Sequence, residues 1–387
     1  MIKFTTKRSQ ESRLYVANII EEGKIGGPQV RIIQVAKFLE KNVKTVVIMP
    51  QDSNEFQQCC QSLGVPFQAL PLSRITKELR PALHYILYSP VEVLKLIFLF
   101  RREQFDLIYV SGGSWQFKGA IAGKLAGIPV LWHLNDSYMP LFIRIIFRML
   151  SGLASGYVYA SVKTKNYYKD YIKSDRYETI IPAPVDTSKF NLDLDYPDDE
   201  LLSELEGKFV IGTVANINPI KDLDTFISAS KIIQSNYENV LFLVLGNTSI
   251  SQSKYQNALK RKVYQLGIVN YYWAGSRKDV RPLLKRFDVY VCSSKSESSP
   301  ISVWEAMSMA RPIVSTHVGD VPLYVQNDYN GYIVAIEDSN QMADCVLKLL
   351  KDETLRKRFG SRSREIAKES LDIELCAKKH LYAYNQF

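Results

Sequence analysis

The sequence predicts an α/β protein of two Rossmann-like, parallel-sheet domains, and three observations predict it. Short apolar runs alternate with amphipathic stretches along all 387 residues, a length suited to two cores rather than one. The runs are apolar from end to end, as strands covered on both faces are. The alternation breaks once, at IPAPVDTSKFNLDLDYPDDE (181–200), a Pro- and Asp-rich stretch without periodicity that reads as a linker.

In the front block the strands read as LYVAN (14–18), TVVIM (45–49), FDLIYV (105–110), PVLWHL (129–134) and GYVYAS (156–161). After the linker they resume as FVIGTVAN (209–216), VLFLVLG (240–246), YYWAG (271–275), VYVCSS (289–294), PIVST (312–316) and GYIV (331–334). The expected domains are 1–185 and 186–370, followed by LDIELCAKKHLYAYNQF (371–387), which has helical spacing. Ligands of such folds bind at the carboxyl ends of the strands.

Composition narrows the class. A content of 46% hydrophobic and 23% charged residues is that of a soluble globular protein. Cys59, Cys60, Cys292, Cys345 and Cys376 show no paired CxxC spacing, which fits reduced thiols in a cytoplasm and neither a disulfide framework nor a zinc site. MIKFTTKRSQESRL lacks the apolar core of a secretory signal. No uninterrupted apolar run reaches about 18 residues, so no spanning helix is expected. Asp193, Asp195, Asp198 and Asp199 lie in the linker and read as solvated charge, so no metal site is expected.

The net charge of +9 sits in the front half: residues 1–185 hold 24 Lys and Arg against 14 Asp and Glu, a net +10, whereas the remainder, 25 against 26, is −1. This points to an anionic surface or substrate met by the front domain, beside the plainer reading of a basic soluble face. No binding motif or Arg/aromatic stripe accompanies the charge, so nucleic acid is not expected.

The stretch SESSPISVWEAMSMARPIV (296–314) carries the candidate chemistry. Ser299 can serve as N-cap with Pro300 in the first helical position, giving a helix whose free N–H groups can seat a phosphate. Glu305 follows five residues after Pro300, about 7 to 8 Å along the axis at about 1.5 Å per residue. That is the separation of a nucleotide's pyrophosphate from its ribose hydroxyls, which acidic residues hold in dinucleotide sites. A solvated glutamate on an exposed helix face is the alternative, which Val303, Trp304, Ala306 and Met307 around it disfavour.

The run from FDVYVCSSKSESSPISVWEAM through PIVSTHVGDVPLYVQNDYNGYIV resembles the signature region of the retaining GT-B glycosyltransferases of the large group 4 family (glycosyl transferases group 1). Two glutamates with seven residues between them, Ala-Met, a Pro-Ile-Val strand, Val-Gly and Asn-Gly fall in the family's order. EEGKIGGPQVR is similar to its Gly-Gly loop, VLWHLND to its histidine segment, IPAPVDTSKF to its interdomain entry and ANINPIKDLDTFISA to its lysine loop. The resemblance spans nearly the whole chain, and the motifs are specific in combination.

The resemblance implies a GT-B fold, two domains facing each other across a cleft, with the acceptor bound by the first, the nucleotide sugar by the second, and the last helix returning to the first. It implies that Lys221 meets the donor's phosphates and stabilises the departing nucleoside diphosphate. Glu305 would hold the ribose, and Glu297 with Ser298, Ser299, Pro300 and Ile301 would face sugar and phosphates. Gly26 and Gly27 would admit the pyrophosphate against the backbone, and His133, which taken alone reads as a structural histidine, would by its place in the family segment point at the sugar. The implied reaction is metal-independent transfer with retention from a nucleoside-diphosphate sugar, taken as a UDP-sugar, with no cofactor. This chain departs from the pattern at Asn216, where the family has Arg, and at Asp222, where it has Gly. An amide cannot replace a guanidinium fork on phosphate. Ser-Ser-Pro after Glu297 and a missing glutamate in GDVPLY leave the donor sugar open.

SPVEVLKLIFLFRREQFD (89–106) and YMPLFIRIIFRMLSGLASG (138–156) read as basic apolar helices that can lie in a membrane interface, although core helices look similar. With the basic front half they suggest an acceptor on a lipid carrier, peripheral contact with an anionic membrane at its cytoplasmic face, and surface polysaccharide synthesis. A nucleotide-sugar epimerase of the same architecture and a non-catalytic glycosyltransferase-like subunit are the competing readings.

Overall fold

The computed structural model describes residues 13–75, 79–172 and 175–387, which form two compact units: residues up to Pro182 together with Ile373–Phe387, and Ala183–Asp372. Residues 183–185, expected with the front domain, belong to the second unit, because Val185 bridges Asp372 and the Ala183 amide donates to Ser299 Oγ at 2.9 Å.

The first unit is a seven-stranded parallel sheet of β1 (Leu14–Ile19), β2 (Val43–Pro50), β3 (Phe67–Leu70), β4 (Leu107–Val110), β5 (Val130–Leu134), β6 (Gly156–Tyr159) and β7 (Tyr177–Ile180), in the order β3-β2-β1-β4-β5-β6-β7. The sequence reading lacks β3 (FQAL) and β7 (YETI). Both are half-buried edge strands, which need fewer apolar residues than central ones and so leave a weaker pattern.

Its helices are α1 (Gly27–Phe38), α2 (Asn54–Ser62), α3 (Leu79–Glu103), α4 (Phe117–Ala126), α5 (Leu141–Leu150) and α6 (Val162–Tyr168). Alternate strand residues bury on opposite faces. Ala17, Ile108, Val110, Val130 and Trp132 pack under α3, α4 and α5; Val16, Leu107, Tyr109 and Leu131 pack with Val35 and Leu39 of α1. By length and composition alone α3 could cross a membrane over Arg80–Glu103, but its Val93, Leu96, Leu99 and Phe100 are buried in this unit's core.

The second unit is a six-stranded parallel sheet of β8 (Phe209–Val214), β9 (Val240–Leu245), β10 (Tyr271–Gly275), β11 (Val289–Cys292), β12 (Ile313–Thr316) and β13 (Gly331–Val334), ordered β10-β9-β8-β11-β12-β13. Its helices are α7 (Leu223–Asn236), α8 (Ser253–Gln265), α9 (Arg281–Leu284), α10 (Ile301–Ser308), α11 (Val321–Tyr324), α12 (Ser339–Lys351) and α13 (Glu353–Ile366). Asp338 and Asp352 cap α12 and α13 by accepting from the amides of Gln341 and Leu355 at 2.9 and 2.8 Å. The last helix, α14 (Ile373–Tyr384), lies in the first unit, where Cys376, Ala377 and Tyr384 pack against Val16 and Tyr109.

Candidate functional site

In the second unit, chemistry gathers where β8 and β11 end, as the central strands of a parallel sheet direct it. After β8 the chain turns through Pro219–Lys221, capped by Asn218, whose Oδ1 accepts from the Ile220 and Lys221 amides at 3.0 and 3.3 Å. Two bonds stitch this turn to the loop after β11: Ser293 Oγ donates to the Lys221 carbonyl at 2.9 Å, and the Lys295 amide to that of Ile220 at 2.8 Å. Lys221 Nζ then meets Glu297 Oε1 at 2.6 Å, and Ser294 Oγ donates to the same oxygen at 2.7 Å. Burial works against the ammonium, but the charge and hydrogen bond of Glu297 prevail and hold its pKa above the ordinary lysine value.

The residue after this lysine explains one departure from the family pattern. Asp222 has φ of +46°, a left-handed conformation that glycine adopts freely and aspartate tolerates by local hydrogen bonding. Here Asp222 Oδ2 accepts from Thr225 Oγ1 at 2.6 Å in the first turn of α7. Asn216, the other departure, is exposed, and its carbonyl accepts from Asn218 Nδ2 at 3.4 Å. It brings no positive charge.

The 297–300 loop rests on Gly319, whose φ is +53° and where a Cβ would lie 2.3 Å from the Ser298 carbonyl oxygen, so a side chain there would push the loop out. The Asp320 amide donates to that oxygen at 3.0 Å. The expected cap is corrected: Pro300, not Ser299, is the N-cap of α10, which begins at Ile301. Ser299 Oγ is engaged instead with the Ala183 amide and with Trp304 Nε1 at 3.1 Å. The amides of Ile301 and Ser302 still head the helix as its unladdered donors.

Glu305 projects from α10 between buried Trp304 and Ala306. It accepts no side-chain hydrogen bond and joins no ion pair among the described residues. Burial alone lifts its carboxyl to about 8. Glu297 and Glu305 therefore differ in kind: the first is satisfied by the protein, the second is an open acceptor. In the described residues, no group of three or more His, Cys, Asp or Glu gathers as metal ligands would.

In the first unit Gly26 and Gly27 are exposed at the start of α1. Gly26 is extended, with φ of −157°, and an added Cβ would meet nothing closer than 3.5 Å, so its lack of a side chain answers no internal packing need and leaves the surface bare for an approaching group. His133 is fully buried in β5, with Nε2 2.8 Å from Arg31 Nη1 and Nδ1 2.5 Å from Tyr109 Oη, so both ring nitrogens are engaged by the protein. Burial and the Arg31 charge hold its pKa far below the usual histidine value, so it stays neutral. Tyr109 Oη continues the chain to His380 Nε2 of α14 at 3.1 Å.

Sequence reading also missed the buried charges behind the Gly-Gly loop. Lys118 pairs with Glu92 and lies 3.6 Å from Glu21, whose carboxyl burial pushes up to about 7 despite that lysine. One signal could have found it: Glu21 directly follows the apolar end of the first strand.

Residues 199–366 match the family Glycosyl transferases group 1, and residues 25–189 match Glycosyltransferase Family 4. The chain belongs to the group 1 glycosyltransferases of GT-B fold. It is 23% identical to the Escherichia coli UDP-Gal:alpha-D-GlcNAc-diphosphoundecaprenol alpha-1,3-galactosyltransferase over 68% of this chain and 71% of that protein. It is 22% identical to the Staphylococcus aureus capsular polysaccharide biosynthesis glycosyltransferase CapM over 91% and 92%. Among solved structures, Anabaena HepE in complex with UDP superposes with a TM-score of 0.82 at 19% identity, over 97% of this chain and all of that one, a likeness of fold.

Proposed function

We propose that this glycosyltransferase moves a sugar, with retention and without a metal, from a UDP-sugar to a glycan or lipid-linked acceptor in bacterial surface polysaccharide synthesis. The observation that carries the reading is Glu305, an open carboxyl group in apolar surroundings, which two vicinal ribose hydroxyls would satisfy. The diphosphate lies against the loop Ser298–Pro300 and the Ile301 amide that heads α10, and Lys221 turns from Glu297 toward it. Glu297 then faces the sugar. Gly26 and Gly27 offer bare backbone to the pyrophosphate, and Asn216 gives it a neutral contact.

The bond from the anomeric carbon to the diphosphate oxygen breaks as the acceptor oxygen bonds to that carbon on the same face, and the acceptor's proton passes to the leaving diphosphate. Lys221 stabilises the charge that gathers there. Relatives named for undecaprenyl-diphosphate-linked acceptors support the lipid-linked choice, and such an acceptor places the enzyme at the cytoplasmic face of an anionic membrane. The test is UDP release from a panel of UDP-sugars with a polyprenyl-diphosphate-linked sugar, reading the anomeric configuration of the product by NMR. No release above hydrolysis for any donor, or an inverted product, overturns the reading.

A further inference from the structure

The outer surface of the first unit above α3, α4 and α5 is apolar in a way its core does not require. Along α3, Leu83, Leu87, Val91, Leu94 and Phe98 are 52–72% exposed, and their spacing of three and four residues sets them in one stripe about 22 Å long. Along α5, Leu141, Ile145 and Met149 repeat the pattern at 70%, 54% and 76% exposure. The opposite side of each helix is core: Leu96 and Phe100 on α3, Ile143 and Phe147 on α5.

Between them α4 is sunk. An added Cβ on Gly119 or Gly123 would come within 2.5 Å of Ile19 or Val130, so these glycines let the helix settle on the sheet. Two apolar ridges are left standing on either side of it.

Charge on this face has one sign. Lys95, Arg101, Lys124, Arg144 and Arg148 are exposed there. Neither α4 nor α5 contains an acidic residue, and on α3 Glu92 is buried against Lys118 and Ser73 while Glu103 pairs with Arg102 at 2.7 Å. Apolar side chains with interspersed cations and no free acid complement an anionic lipid surface, where the apolar groups enter the acyl boundary and the cations meet headgroup phosphates. A spanning role for α3 is incompatible with the core's hold on Val93, Leu96, Leu99 and Phe100.

We propose that the α3 and α5 ridges are an in-plane docking surface for anionic membrane. The proposal deepens the reading of a lipid-linked acceptor and rests on it. Docking there holds the whole first unit at the bilayer surface, where a lipid-linked acceptor is met by diffusion in the plane.

The test is flotation of the full chain with vesicles of phosphatidylglycerol and phosphatidylcholine in equal parts, and of phosphatidylcholine alone. Binding is expected to the first, and to fall steeply between about 0.1 M and 1 M salt, as the Debye length shrinks from about 10 Å to about 3 Å. The double variants Leu87→Asp/Phe98→Asp and Ile145→Asp/Met149→Asp should each lose binding roughly tenfold or more, while circular dichroism and UDP affinity stay those of the parent. Variants that float like the parent overturn the proposal, as does a parent that floats with neither vesicle. So does a parent that is dimeric by light scattering, fails to float and becomes monomeric in the variants, which assigns the ridges to a second copy. Transfer to a polyprenyl-linked acceptor in detergent is measured alongside. Transfer without flotation sinks the surface and leaves the acceptor reading standing; flotation without transfer does the reverse.

Discussion

Lys221 Nζ and Glu297 Oε1 stand 2.6 Å apart, a closed ion pair at the mouth of a helix that also bears the unpaired carboxyl group of Glu305. The pair is partly exposed, so its worth to stability is small. Its consequence is for binding, because a phosphate that engages Lys221 must draw it from Glu297.

Glu305→Gln should weaken UDP binding by roughly tenfold to a hundredfold, since charge-assisted hydrogen bonds are worth about 1.5–3 kcal/mol and about 1.4 kcal/mol is a factor of ten. The pH dependence follows from its carboxyl lying near 8 when unliganded. Hydroxyl donors favour the charged form, so parent affinity should rise as pH rises toward and through about 8, then level off. Glu305→Gln should be flat over that range. Calorimetry with UDP reads both, and unchanged affinity in folded Glu305→Gln would reduce Glu305 to a structural role.

Glu297→Gln should behave oppositely. It removes the charge that competes with phosphate for Lys221, so UDP affinity should hold or improve while turnover drops by about a hundredfold or more, the scale of losing one electrostatic contact to the transition state. A variant with parental kcat and weaker UDP binding would reverse the assignments of the two glutamates.

His133→Gln should act on stability rather than on chemistry. Arg31 Nη1 and Tyr109 Oη lose a fitted partner in a buried place, at a cost of about 1–3 kcal/mol. Urea unfolding measures that loss, and the rate per folded molecule should stay near parental; a hundredfold fall in rate without a stability change would restore a catalytic role. His133 and His380 both have folded pKa values below their ordinary one, His380 at about 3. Below about pH 6.5 the unfolded chain takes up protons that the folded chain refuses, so stability should fall with falling pH there, less steeply in His133→Gln.

Asp222→Gly should be tolerated better than Asp222→Val. The left-handed φ of +46° suits glycine and costs a β-branched residue about 1–3 kcal/mol, on top of the Thr225 bond that both variants lose. Comparing their urea midpoints tests this, and equal midpoints would discount the backbone argument.

Turnover should survive EDTA, because Lys221 is proposed to supply the positive charge at the leaving group. Loss of activity in EDTA with recovery in Mg²⁺ would refute metal independence.

Two parallel α/β units were legible in the sequence, because central strands such as VLFLVL and LIYV must be apolar on both faces and stand out from what surrounds them. Glu297 and Glu305 stood out by their spacing around the Ser-Pro helix start, and Lys221 by the resemblance of its loop to the family's lysine loop. Edge strands FQAL and YETI were not, since half-burial leaves no such pattern. Nor could spacing separate the two glutamates: only folding closes Lys221 on Glu297 and leaves Glu305 open, through two loops joined by Ser293 and Lys295 across 72 or more residues of chain. His133 shows the same limit from the other side, its place in a familiar segment being a property of the chain and its burial a property of Arg31, Tyr109 and His380 packed around it. A sequence carries periodicity, local turn chemistry and charge, which act over a few residues; which polar group is satisfied and which is left for a ligand depends on distant neighbours, and only the tertiary structure decides it.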